Sequence, residues 1–326
     1  MKTESSRPTR AEISLSALRH NFAVARELAA GAAVMAVVKA EAYGHGLTRA
    51  SQLFADCGAD YLGVSFLEEG VILRQAGIKT PILVMGGLVD EQIERYIDYN
   101  LEPTVSSVWK ARHVNAAAEK RGIKAAVQLK IDTGMGRVGQ QWSSSDRLFS
   151  EIAGLKNIDV RGVYTHLATA DGENPEFAAT QLTRFAEVVK QARSFGIDPP
   201  HIHSVGSGGL IPPGTRGEHT MVRPGLMLYG YSPNPDLQES LDLRPAMTLK
   251  TRVVYVKYPP AGTTVGYGAT WRSPGKRWIA TLPIGYGDGY PRRLGNRGWV
   301  MLRGRRCPVV GRVSMDQITV DAGPEA

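Results

Sequence analysis

An alternation of short apolar runs with helical segments constrains the fold more than any other feature of the sequence. Val34–Val38, Tyr61–Ser65, Ile82–Met85, Glu102–Val105, Ala125–Ile131, Val160–His166, His201–Val205 and Gly225–Tyr229 read as strands, and most of the gaps between them carry helical periodicity. A first helix is predicted from about Ser16 to Ala30, with Leu18, Phe22, Ala25 and Leu28 on one face. Strands separated by helices imply right-handed parallel crossovers, and eight strands are what close a (β/α)₈ barrel. An open, doubly wound sheet is the alternative, since periodicity alone does not separate the two. The Pro-rich stretch Ser232–Pro245 breaks the pattern. Beyond it Leu249–Val256, Trp278–Pro283, Trp299–Leu302, Val309–Val310 and Gln317–Val320 read as strands between Gly/Pro turns. The expected organisation is a barrel over 1–242 and an all-β domain over 243–326, the latter incomplete because no closing element follows its last strand.

Composition narrows the class. With 326 residues and 43% apolar content the chain can bury a substantial core, which excludes disorder. The net charge of +8 raises the question of a nucleic-acid partner, but the basic residues are scattered and no aromatic-interleaved basic stretch accompanies them. Cys57 and Cys307 support neither a disulfide framework nor a metal site. With no signal-type apolar segment and no run long enough for a membrane helix, the expectation is a cytoplasmic protein without membrane or nucleic-acid partners.

In a barrel the chemistry belongs at the C-terminal strand ends. Lys39 ends the first strand in AVMAVVKAEAYGHG; Lys130, Asp132 and Arg137 follow the fifth; His166 ends the sixth; Ser204 and Ser207 follow the seventh; Arg223 opens the eighth. A lysine there either snorkels from the rim or, partly desolvated, offers a free amine for Schiff-base chemistry. Tyr43 and the glycines Gly44 and Gly46 favour the second reading, because they let backbone approach a bound group. HIHSVGSGG and Pro224-Gly225-Leu226 supply hydroxyls and amides where such barrels commonly hold phosphate. Ser207 could equally be a helix N-cap. Gly134, Gly136 and Gly139 match a dinucleotide fingerprint, but helical periodicity resumes only near Ser143–Asp146, which argues against it. Asp132-Thr133-Gly134 lacks the second aspartate that an acid protease dyad needs.

Taken together, VVKAEAYGHG, KIDTGMGRVG, YTHLATAD, MVRPGLMLYG, VGYGATW, LPIGYGDGYPRRL and GRVSMDQ resemble, in order, the alanine racemase family of pyridoxal-phosphate enzymes of bacterial cell-wall metabolism. The resemblance runs from about Glu12 to Val320. It implies a barrel followed by a β domain, a head-to-tail homodimer with shared active sites, and interconversion of L- and D-alanine. It also implies that Lys39 holds pyridoxal 5'-phosphate, that Tyr43, Ser207, Gly225 and Leu226 surround the phosphate, and that Arg223 faces the ring nitrogen with His166 coupled to it. Lys39 and Tyr286, the latter from the partner subunit, would be the two proton donor-acceptors. Arg137, Tyr267, Met315 and Asp316 would bind substrate, and Lys130 matches a lysine carbamylated in some relatives. Glu41 and Gly206 stand where the family usually has Asn, and PPGTRGEH is an unusual approach to Arg223. The chain stops before the family's last strands. A serine or broad-specificity racemase, or a non-catalytic pyridoxal-phosphate-binding protein, are the alternative expectations.

Overall fold

The computed structural model describes residues 6–171, 174–210 and 219–325; residues 212–218 of the PPGTRGEH stretch lie outside them. Two compact units are present: Ser14–Ala246, and the chain from Met247 onward together with the described residues up to Ile13.

The first unit is a nearly closed parallel barrel. Its strands are β1 (Ala33–Val37), β2 (Tyr61–Val64), β3 (Ile82–Val84), β4 (Glu102–Val105), β5 (Ala125–Asp132), β6 (Ile158–Tyr164), β7 (His201–His203) and β8 (Met221–Val222). They pair in sequence order, with β8 beside β1. Between β7 and β8, Thr220 N–H donates to Ile202 O at 3.0 Å and Arg223 N–H to Val205 O at 2.9 Å, which carries the ring around. The apolar runs are strands because both faces are covered, as a parallel barrel requires: Val34, Met35, Ala36, Leu62 and Ile82 have no exposed surface. Met35, Tyr61, Leu83, Tyr164 and Met221 pack together in one cluster. Leu15–Leu28 forms the expected first helix, and the Ser14 hydroxyl caps it by accepting the Ala17 N–H at 3.1 Å.

One barrel strand was misplaced by the sequence pattern. Gly225–Tyr229 is not a strand; Leu226–Tyr229 is a 3₁₀ turn, and the eighth strand is Met221–Val222 before it. Pro224 has no N–H for a ladder, and a continuous apolar run does not distinguish a strand from a buried helical turn.

In the second unit, Arg10–Ile13 pairs antiparallel with Met247–Lys250. That pairing places Arg10–Ile13 with the β unit rather than within a barrel over 1–242. A three-stranded antiparallel sheet contains Tyr255–Lys257, Trp278–Leu282 and Ile318–Gly323. Two small hairpins, Thr264–Val265 with Trp271–Arg272 and Trp299–Leu302 with Arg305–Pro308, complete it. The expected single strand Leu249–Val256 is divided between two sheets, and Val309 forms only an isolated bridge to Val320 after the Arg305–Pro308 strand. Alternating polarity persists through a change of partner, so the pattern cannot mark where one sheet hands over to another.

Candidate active site

Lys39 begins a tight turn at the end of β1 in which Ala40, Glu41, Ala42 and Tyr43 all adopt φ between +53° and +56°. Each non-glycine residue there costs roughly 1–2 kcal/mol, so the surroundings must hold the turn in place. Ala42 N–H bonds Val38 O at 2.9 Å, and the Glu69 carboxylate accepts the Ala40 N–H at 2.6 Å while also receiving those of Ser65 and Phe66. Glu41 accepts the Leu47 N–H at 3.2 Å, giving that residue a capping task at the next helix. The Tyr43 ring stacks on Tyr229 with centroids 4.7 Å apart, and the Tyr229 hydroxyl bonds Val37 O at 2.9 Å. Lys39 is half-buried; burial, then the nearby Arg137 charge, lower its pKa, with Glu69 opposing.

Arg223 is 4% exposed and fixed on all sides. It donates to His203 Nδ1 at 2.7 Å, Thr165 O at 2.8 Å, Ser204 O at 3.0 Å and His166 Nδ1 at 3.2 Å. These contacts make acceptors of both imidazoles. Burial and then the Arg223 charge push His166 down to about 2, and hold His203 well below its ordinary value, so both rings stay neutral. Burial brings Arg223 itself down to about 10, still charged at neutral pH. A buried polar chain continues from it: His203 Nε2 donates to Gln128 at 2.8 Å, Gln128 to Glu102 at 2.7 Å, and Tyr61 to Glu102 at 3.1 Å. Lys130 Nζ sits 4.2 Å from the Tyr164 ring centroid and has no ion pair or hydrogen-bond acceptor among the described residues. Burial and then Arg223 depress its pKa strongly.

Ser207 opens a four-residue helix, and its hydroxyl accepts from Gly225 N–H at 2.9 Å and Met227 N–H at 3.3 Å. The loops after β7 and β8 are thereby tied together, and the single Ser207 O–H remains available to donate. A Cβ on Gly225 would lie 2.6 Å from the Tyr43 hydroxyl, so a larger residue there would have to displace the Tyr43 side chain. At Gly206 a Cβ would meet only ordinary contacts with Arg223 O and His166.

The G-x-G-x-x-G segment is an aspartate-anchored turn. Asp132 accepts the N–H groups of Gly134 and Gly136, and the helix Ser145–Gly154 starts well beyond it. Its effect is to present Arg137 at the barrel mouth. Lys39, Tyr43, Lys130, Arg137, His166, Ser207, Arg223, Gly225 and Leu226 thus come together around one cleft of about 560 Å³. Among the described residues that line it are four basic side chains and one acid, Asp171, an environment suited to a ligand carrying phosphate and carboxylate.

The remaining candidates lie in the β unit. Tyr286 N–H bonds Ser314 O at 3.0 Å and Gly287 N–H bonds Met315 O at 2.8 Å, which sets Tyr286 beside Met315 and Asp316. The Arg292 guanidinium lies 5.2 Å over the Tyr286 ring. Tyr267, 72% exposed, stands on a separate turn between Gly266 and Gly268. His203, Gln128, Tyr164 and Tyr229 were not singled out by sequence reasoning. The signal for Gln128 was its polar side chain two positions before Lys130 in an apolar strand, where period two puts both on one face.

The fold and cleft define a barrel protein of a distinct class, with a half-buried lysine at the end of its first strand and an anion-receptive mouth. Comparison with known proteins identifies the family within that class. The model of the alanine racemase N-terminal domain matches residues 13–233 and that of the C-terminal domain matches 246–326. An alanine racemase from Halothermothrix orenii is 42% identical over 98% of this chain and 85% of its own length. The crystal structure of alanine racemase from Streptomyces lavendulae matches at a TM-score of 0.94 and 35% identity, over 99% of this chain and 86% of that one. That from Bartonella henselae, solved with covalently bound pyridoxal phosphate, matches at 0.87 and 26%, over 98% of this chain and 87% of that one. The chain belongs to the alanine racemase family.

Proposed function

We propose that this protein interconverts L- and D-alanine with pyridoxal 5'-phosphate held on Lys39, supplying D-alanine for cell-wall synthesis. The observation that carries the reading is the pairing, in one cationic cleft, of a desolvated lysine with an arginine fixed by neutral histidines. The cofactor, when bound, would withdraw electron density from the substrate α-carbon and so make its hydrogen acidic. Tyr43, the free Ser207 O–H and the backbone of Gly225 and Leu226 would hold its phosphate. Arg223 would hold a hydrogen at the ring nitrogen without surrendering it, since a guanidinium charged up to about 10 does not act as an acid at neutral pH. That restraint favours return of the proton over transamination.

Lys39, with its lowered pKa, moves the proton on one face of the α-carbon, and Tyr286 of a second copy moves it on the other. Arg137 binds the carboxylate, with Met315, Asp316 and Tyr267 completing the substrate end from the second copy. Lys130, whose pKa is depressed by burial and then by Arg223 and Arg137, is suited to carbamylation, which would show as added mass on the intact chain. Purified protein should show the visible absorbance of lysine-bound cofactor. Lys39→Ala should lose that absorbance and lower racemisation, in a D-amino-acid-oxidase-coupled assay, by ~10⁴-fold or more. Retained turnover would contradict the assignment.

A further inference from the structure

Tyr286 lies on a 3₁₀ turn, Tyr286–Asp288, whose hold on the rest of the β unit is unusually asymmetric. On one side the turn meets Ser314 and Met315 through backbone bonds from Tyr286 and Gly287, and Gly285 packs so closely on the carbonyls of both that no side chain fits there. On the other side it is held from the far end of the sequence. Arg7 grips the Asp288 carboxylate as a fork, Nη1 to Oδ1 at 2.5 Å and Nη2 to Oδ2 at 2.7 Å. Nη2 also donates to Pro283 O at 3.2 Å, and the Thr9 hydroxyl donates to the same carbonyl at 2.6 Å. Asp288 in turn accepts the Gly285 N–H at 3.0 Å, which closes the turn under the tyrosine.

We propose that Arg7 is a positioning residue for Tyr286: by joining Asp288 to Pro283 it fixes both ends of the turn that carries the phenol. The inference rests on Tyr286 being the second proton donor-acceptor, as argued above. A bidentate guanidinium–carboxylate pair fixes direction as well as distance, which an ammonium cannot do. Arg7 lowers the Asp288 pKa through that hydrogen bond, with the Gly285 N–H second, so the carboxylate remains an acceptor across the working pH range. The Arg7 side chain is 44% exposed, and exposed ion pairs contribute little to global stability. The effect of removing it should therefore fall on catalysis rather than on melting.

The test uses the holoenzyme and the variants Arg7→Met, Arg7→Lys and Asp288→Asn, with Tyr286→Phe as control. Arg7→Met should leave Tm unchanged and lower kcat about 10-fold or more, since a 1 Å displacement of a reacting group costs up to ~10²-fold. The α-deuterium isotope effect should rise for the one alanine enantiomer whose proton Tyr286 takes, and not for the other. Amide exchange at Tyr286 and Gly287 should quicken in Arg7→Met and Asp288→Asn, with or without cofactor, and Arg7→Lys should recover part of each effect. If Tyr286→Phe is severely impaired while Arg7→Met keeps wild-type kcat and exchange, the positioning role is overturned. A rate loss in Arg7→Met with both isotope effects unchanged overturns it too. If Tyr286→Phe racemises normally, the reading of Tyr286 fails and this inference falls with it.

Discussion

In the barrel the candidate groups Lys130, Ser207 and Arg223 are buried, whereas in the β unit the candidates Tyr286, Tyr267 and Met315 stand exposed. Arg223 has four acceptors around it and Lys130 is 7% exposed, while Tyr286, Tyr267 and Met315 are 39%, 72% and 55% exposed. The two units solve different problems. The barrel must keep several cations together without their repelling one another into solvent. It does so by surrounding Arg223 with neutral imidazoles and carbonyls and by setting Lys130 against an aromatic face, while burial favours the uncharged forms of Lys39 and Lys130. The β unit presents side chains outward at fixed backbone positions, the arrangement expected of groups that complete a second surface.

That contrast breaks first at Tyr286. Tyr286→Phe should lower kcat by ~10²–10⁴-fold, the range for losing one general acid-base group, while leaving the lysine-dependent absorbance intact. Loss of the absorbance would mean that the exposed tyrosine also holds the cofactor. A smaller effect is expected inside the barrel. Gly225→Ala puts a Cβ 2.6 Å from the Tyr43 hydroxyl, on a ring stacked against Tyr229, so equilibrium dialysis should show cofactor affinity weakened by about tenfold or more, ~1.4 kcal/mol. Adding Tyr43→Phe should recover part of it. Unchanged affinity in Gly225→Ala would show that the loops after β7 and β8 yield more readily than their cross-bonding implies.

An effect on stability rather than on rate or affinity separates the units by acid. All seven histidines lie within the barrel unit. The folded-state pKa of His166 is lowered to about 2 and that of His203 also lies well below its unfolded value. The unfolded chain therefore binds more protons below about pH 6.5, and stability is lost as pH falls, by up to about 1.4 kcal/mol per pH unit for each neutral histidine. Denaturant titrations at pH 6.5 and 4.5 should show a shallower loss for His166→Gln. An equal loss would place the acid sensitivity elsewhere.

The strand-end residues were legible because a parallel barrel makes position along each strand a guide to chemistry: Lys39, His166 and Arg223 follow from where apolar runs stop. The left-handed turn after Lys39 was not, since Ala40, Glu41 and Ala42 carry no local preference for positive φ and contacts from elsewhere in the barrel, Glu69 and Tyr229 among them, help hold them there. Nor was the chain from Arg223 through His203 and Gln128 to Glu102, whose members come from four strands and meet only when the ring closes. In the β unit the sequence marked the strands but not their partners, so the pairing of Arg10–Ile13 with Met247–Lys250 was invisible in a string where they lie at opposite ends.

The central claim is that Lys39 of one copy works with Tyr286 of another, and mixing inactive variants tests it most directly. Lys39→Ala and Tyr286→Phe protein, combined and allowed to exchange subunits, should recover roughly a quarter of wild-type racemisation. Half of the dimers are then mixed, and one of the two sites in each carries both lesions while the other carries neither. If each site instead lies within a single copy, every site keeps one lesion and no activity returns.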